Sequence, residues 1–473
     1  MYRHESLYIH GQWQQPNSET QIEVFNPANG ELYAVVPAAD NTDVDRAILA
    51  AKKAFPAWSD TTAEKRSELI HAVADEMHDR LDELTDVIAD TMGCPRHMAI
   101  DLQVQGSIDA FRAYADFTGF VDESYVAHGV LHQHAPVGVC VLINPWNYPL
   151  SQLVGKLGPA LASGCTVVVK PAEQTPLQDF ILAEIFHKVG LPAGVFNLIS
   201  GIGSEIGDHL CSHPDVDMIS FTGSTRAGIS VAQSAAPGVK RVCQELGGKS
   251  PYIITQDADL EAAVRYGVED VMLNSGQTCC ALTRMLVPQD HYEQAIEMAR
   301  AVAEENVVGD PRDENSTMGP LSSKVQQQRV LEYIKTGIDE GARLVTGGLE
   351  VPGELAAGAY VLPTIFADVN NQMTIAREEI FGPVLCMIPY QDEEEAIRIA
   401  NDTDYGLSSG VYAKDSPAAL KIASRIRAGQ CYIQGSYFNT NAPFGGFKQS
   451  GNGREWGRDG MREYVEVQAV ITE

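Results

Sequence analysis

Apolar and polar positions change rhythm twice along this chain. Over the first forty residues, short apolar runs such as Leu7-Tyr8-Ile9-His10 are cut by Gly11 and by Asn26-Pro27-Ala28-Asn29-Gly30, which predicts short strands and turns. Helical spacing follows. Val44, Ile48, Leu49 and Ala51 share one face of a helix running to Phe55, with Asn41 or Thr42 as its cap. Thr61-x-x-Glu64 reads as a capping box before a helix carrying Leu69, Ile70, Val73 and Met77.

From Pro136 the rhythm becomes strand, helix, strand. Val137 to Ile143 is an apolar run suited to a strand buried on both faces. Leu150 to Leu161 predicts a helix, and Thr166 to Val169 the next strand. Phe180–Val189, Val195–Ile199, Glu205–Ser212 and Met218–Phe221 continue the alternation. This order predicts an α/β fold with a mostly parallel, doubly wound sheet. A second series begins after Gly247-Gly248, with Tyr252–Ile254, Leu260–Asn274, Met285–Val287 and Tyr292–Glu304, so a domain break is placed near residue 247. Residues 118–136 are polar and His-rich, an excursion from the first domain.

Composition narrows the classes. With 34 Lys+Arg against 63 Asp+Glu in 473 residues, the net charge is −29, which disfavours nucleic acid and anionic membrane surfaces as partners. No apolar run reaches the roughly 20 residues that span a bilayer, and the N-terminus does not read as a secretory signal. Nine scattered cysteines fit reduced thiols better than a disulfide framework, so a soluble, cytoplasmic protein is expected.

Three segments offer chemistry. Asn274-Ser275-Gly276-Gln277-Thr278-Cys279-Cys280 presents a thiol after a Gly-Gln turn; it is a nucleophile, or else a pair of small buried hydrophobes. Glu245-Leu246-Gly247-Gly248 ends an apolar strand, where Glu245 is a general base or a solvated turn carboxylate. Asn144-Pro145-Trp146-Asn147-Tyr148-Pro149 follows the buried strand ending at Ile143, where open α/β sheets bind ligands, and the Asn147 amide suits an oxyanion. For a dinucleotide, Gly201-x-Gly203-x-x-x-Gly207 is one residue too long in its second gap for the usual fingerprint. Phe221-Thr222-Gly223-Ser224 suits a phosphate at a helix start, and Lys170-Pro171-Ala172-Glu173 suits ribose hydroxyls. His209-x-Cys211-x-His213 matches no common closed site, so no metal is expected.

Together these segments resemble the aldehyde dehydrogenase superfamily. Glu378-Glu379-Ile380-Phe381-Gly382-Pro383 and Pro443-Phe444-Gly445-Gly446-Phe447-Lys448-x-Ser450-Gly451 complete seven anchors in order over nearly the whole chain. The resemblance implies NAD-dependent oxidation of an aldehyde to the acid, through a thiohemiacetal and a hydrolysed thioester. It makes Cys279 the nucleophile, Asn147 with the Cys279 N–H the oxyanion donors, and Glu245 the base. Lys156 falls on a family lysine with a structural or proton-relay role. Cofactor contacts are implied at Ile143, Pro145, Trp146, Lys170, Glu173, Gly203, Gly207, Phe221, Gly223, Ser224, Leu246, Gly247, Glu379 and Phe381. Glu173 would repel a 2′-phosphate, so NAD is expected over NADP, with Lys170 a partial offset.

The substrate walls implied are Tyr148, Gln152, Gly155, Cys280, Phe438 and Phe444. Gly155 stands where many relatives carry a large side chain, so a wide apolar tunnel for medium or long aliphatic or aromatic aldehydes is expected. Glu245 favours hydrolysis over transfer to coenzyme A, the rival reaction; a non-catalytic relative is the other alternative. The implied fold has an NAD-binding domain (1–117 and 137–247), a catalytic domain (248–448), and an oligomerisation arm with a C-terminal segment (118–136 and 449–473). Homodimers and homotetramers are both usual for such a fold.

Overall fold

A computed structural model describes residues 2–471. Its first sheet is built on the strand β1 (Val139–Ile143), every residue of which is buried. Helix α1 (Pro149–Ala162) follows, then β2 (Thr166–Lys170), α2 (Leu177–Val189), β3 (Phe196–Leu198), α3 (Gly203–Ser212), β4 (Met218–Thr222), α4 (Thr225–Ala235) and β5 (Arg241–Glu245). The five strands are parallel in the order β5-β4-β1-β2-β3. The chain therefore moves outward from β1 through β3, then returns to its other side at β4. That reversal opens a crevice beyond the ends of β1 and β4, the usual ligand position in such sheets. Ile143 and Phe221 face each other in register there.

A second sheet follows: β6 (Pro251–Ile254), β7 (Arg284–Pro288), β8 (Arg343–Thr346), β9 (Thr364–Ala367), β10 (Val384–Tyr390), β11 (Gly410–Tyr412) and β12 (Tyr432–Ile433), ordered β8-β9-β10-β7-β6-β11-β12. Only the β8–β9 pair is antiparallel. Buried apolar clusters lie against each sheet. A three-stranded antiparallel arm joins Tyr125–Ala127, Val130–Pro136 and Val465–Ile471.

Three local expectations shift. The first long helix spans Asn41–Ser59 and is capped by Asp40, whose carboxylate accepts from Thr42 and Asp43. The next helix is capped by Thr62, which accepts from Lys65, so Thr61 is not its cap. The segment 449–464 lies outside the arm: Gly451–Asn452 pairs antiparallel with β5, tying the C-terminal segment back to the first sheet. Helix α1 begins with Pro149 at its first turn, where a missing N–H costs nothing. Its glycines allow close packing: a Cβ at Gly158 would strike the Tyr114 ring.

Candidate active site

The loop from β1 into α1 is clamped from two sides. The Asn147 carbonyl accepts from Gln103 Nε2 at 3.1 Å and Asn274 Nδ2 at 3.0 Å. Its own side-chain Nδ2 donates to the Gln277 carbonyl at 2.9 Å, two residues before Cys279. Asn147 is 3% exposed, so this geometry is buried. Gln103 lies on a one-turn π-helix, Ile100–Gln105, a departure from α geometry that is frequent at functional sites.

The cysteine loop is equally constrained. Asn274, Ser275 and Gly276 all have positive φ, a run that β-strand or helix cannot contain. At Gly276 the left-handed turn presses against the Gly382 carbonyl, where a Cβ would collide. Gly248 is needed for a similar reason, because a Cβ there would strike the Cys279 carbonyl oxygen. Cys279 and Cys280 are partly buried. The adjacent Cys280 thiol, then burial, then Glu379 and Glu245 push Cys279 well above the ordinary thiol range. That direction favours the thiol over the thiolate.

Glu245 is the last residue of β5. It is 3% exposed, and neither carboxylate oxygen has a hydrogen-bond partner. Burial and then the charge of Glu455 push it well above the usual carboxylate range, while Lys156 and Arg454 pull the other way. A buried, unpartnered carboxyl with a raised pKa is suited to take and return a proton near neutral pH. Lys156 meets Glu455 at 2.8 Å with both side chains buried, and donates to the Gln152 carbonyl at 3.2 Å. Sequence reading missed Glu455. Its local signal is only a glutamate between Arg454 and Trp456, and its role depends on contacts across 299 positions.

On the cofactor side, Ile143, Pro145 and Trp146 border the crevice, and Trp146 meets Phe381 edge-on at 5.3 Å. Lys170 ends β2 and donates to Glu173 at 3.2 Å and to the Pro171 carbonyl at 2.9 Å. The Gly203 N–H donates to the same carboxylate at 2.7 Å. Burial alone would raise Glu173, but Lys170 and that N–H outweigh it and keep the carboxylate charged. Ser224 caps α4 after Phe221 and Gly223, and Gly228 packs closely on Leu246. Gly207, one turn into α3, has open space within 4 Å of where a Cβ would stand. Glu379 accepts from Gly248 N–H at 3.0 Å, and Gly247 leaves room for its carboxylate. Gln326 and Arg329, missed in the sequence, donate to the carbonyls of Phe381 at 2.7 Å and Glu379 at 2.9 Å. This set fits a dinucleotide. A charged carboxylate suits vicinal hydroxyls, two helix N-termini meet the crevice, and an aromatic pair borders it.

On the substrate side, Tyr148 Oη lies 2.7 Å from Thr278 Oγ1. Gln152 is buried and its Oε1 has no partner. Phe438 meets Phe444 edge-on at 5.8 Å. A Cβ at Gly155 would stand 2.9 Å from two atoms of the Trp456 indole, so that ring packs directly on the glycine. His209 and His213 both turn to Asp45, at 2.6 and 3.4 Å, and among the described residues no group of three or more such ligands gathers for a metal.

This arrangement sets a thiol, a buried carboxyl and a dinucleotide-sized crevice together on a doubly wound scaffold. The family model for the aldehyde dehydrogenase family matches residues 13–470. The chain is 46% identical to a 3-succinoylsemialdehyde-pyridine dehydrogenase of a Pseudomonas species, covering 100% of this chain and 99% of that one. Among solved structures it superposes with TM-score 0.97 on a mutant of aldehyde dehydrogenase C from Pseudomonas syringae in complex with NAD+ and octanal, at 46% identity over 99% of this chain and 96% of that one. It also superposes with TM-score 0.97 on a Mycobacterium tuberculosis aldehyde dehydrogenase in complex with NAD+, at 41% identity over 100% of this chain and 99% of that one. The chain belongs to the aldehyde dehydrogenase family and is an enzyme of that oxidoreductase class.

Proposed function

We propose that the protein oxidises medium-chain aliphatic or aromatic aldehydes to carboxylic acids with NAD, by hydrolysis of a cysteine thioester. The observation that carries this reading is the buried Glu245 carboxylate, unpartnered at both oxygens and electrostatically coupled to Cys279. Glu245 accepts the Cys279 proton, and the thiolate adds to the aldehyde carbonyl. The Asn147 amide and the Cys279 N–H hold the resulting oxyanion; one such donor contributes about 2.7–4 kcal/mol. NAD supplies the hydride acceptor when bound. Glu245 passes the Cys279 proton to solvent, then takes a proton from water as it attacks the thioester, and Cys279 leaves as thiolate. Transfer to coenzyme A would leave this base without its water-activating task.

Lys170 and Glu173 would hold the adenosine ribose, Trp146 and Ser224 the pyrophosphate region, and Glu379 with Phe381 the nicotinamide ribose. The charged Glu173 supports NAD over NADP. The NAD+ complexes of the two solved relatives support the same cofactor. The octanal complex and the pyridine-bearing semialdehyde named for the Pseudomonas relative both support an extended, weakly polar tail. We assign residues 1–117 and 137–247 chiefly to cofactor binding and 248–448 to catalysis. The arm exposes Tyr125, Val126, Val467 and Ile471, which supports burial against further copies in a homodimer or homotetramer. All nine cysteines are free, which supports a reducing cytoplasm. Among the described residues no helix is long and apolar enough to cross a membrane.

The test is NADH absorbance with purified protein, NAD and a panel of short, long, aromatic and carboxylated aldehydes, without coenzyme A. Turnover that vanishes in Cys279→Ala supports the reading. Turnover that appears only with coenzyme A overturns it.

A further inference from the structure

Two neighbouring residues of α1 meet two neighbouring residues from the far end of the chain. Lys156 pairs with Glu455, and Gly155 lies under Trp456. The indole is 2% exposed. It stacks on Tyr114 at 6.4 Å and meets Phe438 edge-on at 5.6 Å. Phe438 in turn meets Phe444, so Trp456 is continuous with the aromatic wall already assigned to substrate. Phe438 is 43% exposed and carries that wall out to solvent. Gln152, one turn before Gly155, shows the same side of α1 ending in an unpartnered buried acceptor.

The Trp456 backbone is unusual. Its φ of 64° and ψ of 157° fall in a region that is nearly reserved for glycine, and Gly457 follows at φ 58°. A bulky residue persists there only when its surroundings over-determine it, and such positions cluster at ligand clamps. Ordinary core packing does not call for that conformation, since Trp58 is equally buried inside a regular helix.

We propose that Trp456 is a specificity-determining residue of the aldehyde tunnel. Its indole takes the volume left by Gly155 and forms the wall on which the aldehyde tail packs. Slender unbranched or flat tails pass this wall, and branched or saturated-ring tails do not. The inference rests on the aldehyde-oxidising reading above. It adds that the ring is delivered by the C-terminal loop, not by α1. Because Glu455 and Trp456 are adjacent, one peptide sets both the tail wall and the charge beside Glu245.

The experiment compares kcat/KM for propanal, octanal and cyclohexanecarbaldehyde in the unaltered protein, Trp456→Ala, Trp456→Phe and the double variant Gly155→Phe/Trp456→Ala. The cyclohexanecarbaldehyde-to-octanal ratio should rise about tenfold in Trp456→Ala, the scale of discrimination an apolar pocket provides. It should rise less in Trp456→Phe. It should fall back in the double variant, where α1 supplies the ring. If Trp456→Ala does not fold, Trp456→Phe and the double variant carry the same comparison. A ratio unchanged within twofold in every variant that oxidises propanal makes Trp456 a packing residue and overturns the proposal. Absence of aldehyde turnover by the unaltered protein overturns the underlying reading, and the proposal with it.

Discussion

Lys156 with Glu455 and Lys170 with Glu173 are both buried lysines paired with a glutamate, yet they do different work. The first pair joins a helix to a loop 299 residues away, at 2.8 Å, with both side chains out of water. The second is local, three residues apart at 3.2 Å, and its glutamate is 36% exposed. Burial makes the first pair consequential, because neither charge has water to fall back on. Exposure frees the second for a ligand, because its carboxylate can still hydrogen-bond outward. The same chemical pairing is sealed from water in one place and open to an incoming ligand in the other.

The largest break in that comparison comes from Lys156→Met. It leaves Glu455 buried and uncompensated, and should cost about 3–5 kcal/mol, read as a lowered denaturant midpoint. The double variant Lys156→Met/Glu455→Leu should recover most of that loss, since an apolar pair in such a site is often neutral. A double variant as unstable as the single one would mean that the two residues do not act as a pair. At the exposed pair, Glu173→Gln should cost stability less than about 1 kcal/mol. Its effect should fall on the cofactor instead. Losing a charged hydrogen-bond acceptor, worth about 1.5–3 kcal/mol, should raise the KM for NAD roughly tenfold or more and narrow the preference over NADP. An unchanged KM would place the adenosine ribose elsewhere.

The two pairs also differ in how legible they were. Lys170 and Glu173 lie within one motif at the end of a readable strand, so local pattern was enough. The alternating strands of the first sheet were readable for the same reason: β1 is apolar at every position because it is buried on both faces. Cys279, Glu245 and Asn147 were placed by motifs that each carry a structural demand, such as the glycine at 248 that lets the Cys279 carbonyl pass. Glu455, Gln103, Asn274 and Arg329 were not legible, because each acts through a contact made only when distant segments close. The Trp456 ring beside Gly155 was hidden on the same grounds. A glycine announces space, but its neighbours in the chain do not say which distant ring fills it.

The subtlest test moves the position of a pH profile, without removing activity. Glu245 must be ionised to accept a proton, so activity should rise with pH through its ionisation. Burial and Glu455 raise the pKa of Glu245, while Lys156 lowers it. Glu455→Gln keeps the shape of the side chain and removes the negative charge. It also leaves the Lys156 charge unneutralised, so both changes stabilise the Glu245 carboxylate. The acidic limb of kcat/KM should therefore shift to lower pH in Glu455→Gln. Glu173→Gln, changed in the same way at the exposed pair, should leave that limb where it stands. Coincident limbs in Glu455→Gln and the unaltered protein would show that the buried pair does not tune the base, and that the two pairs differ only in stability.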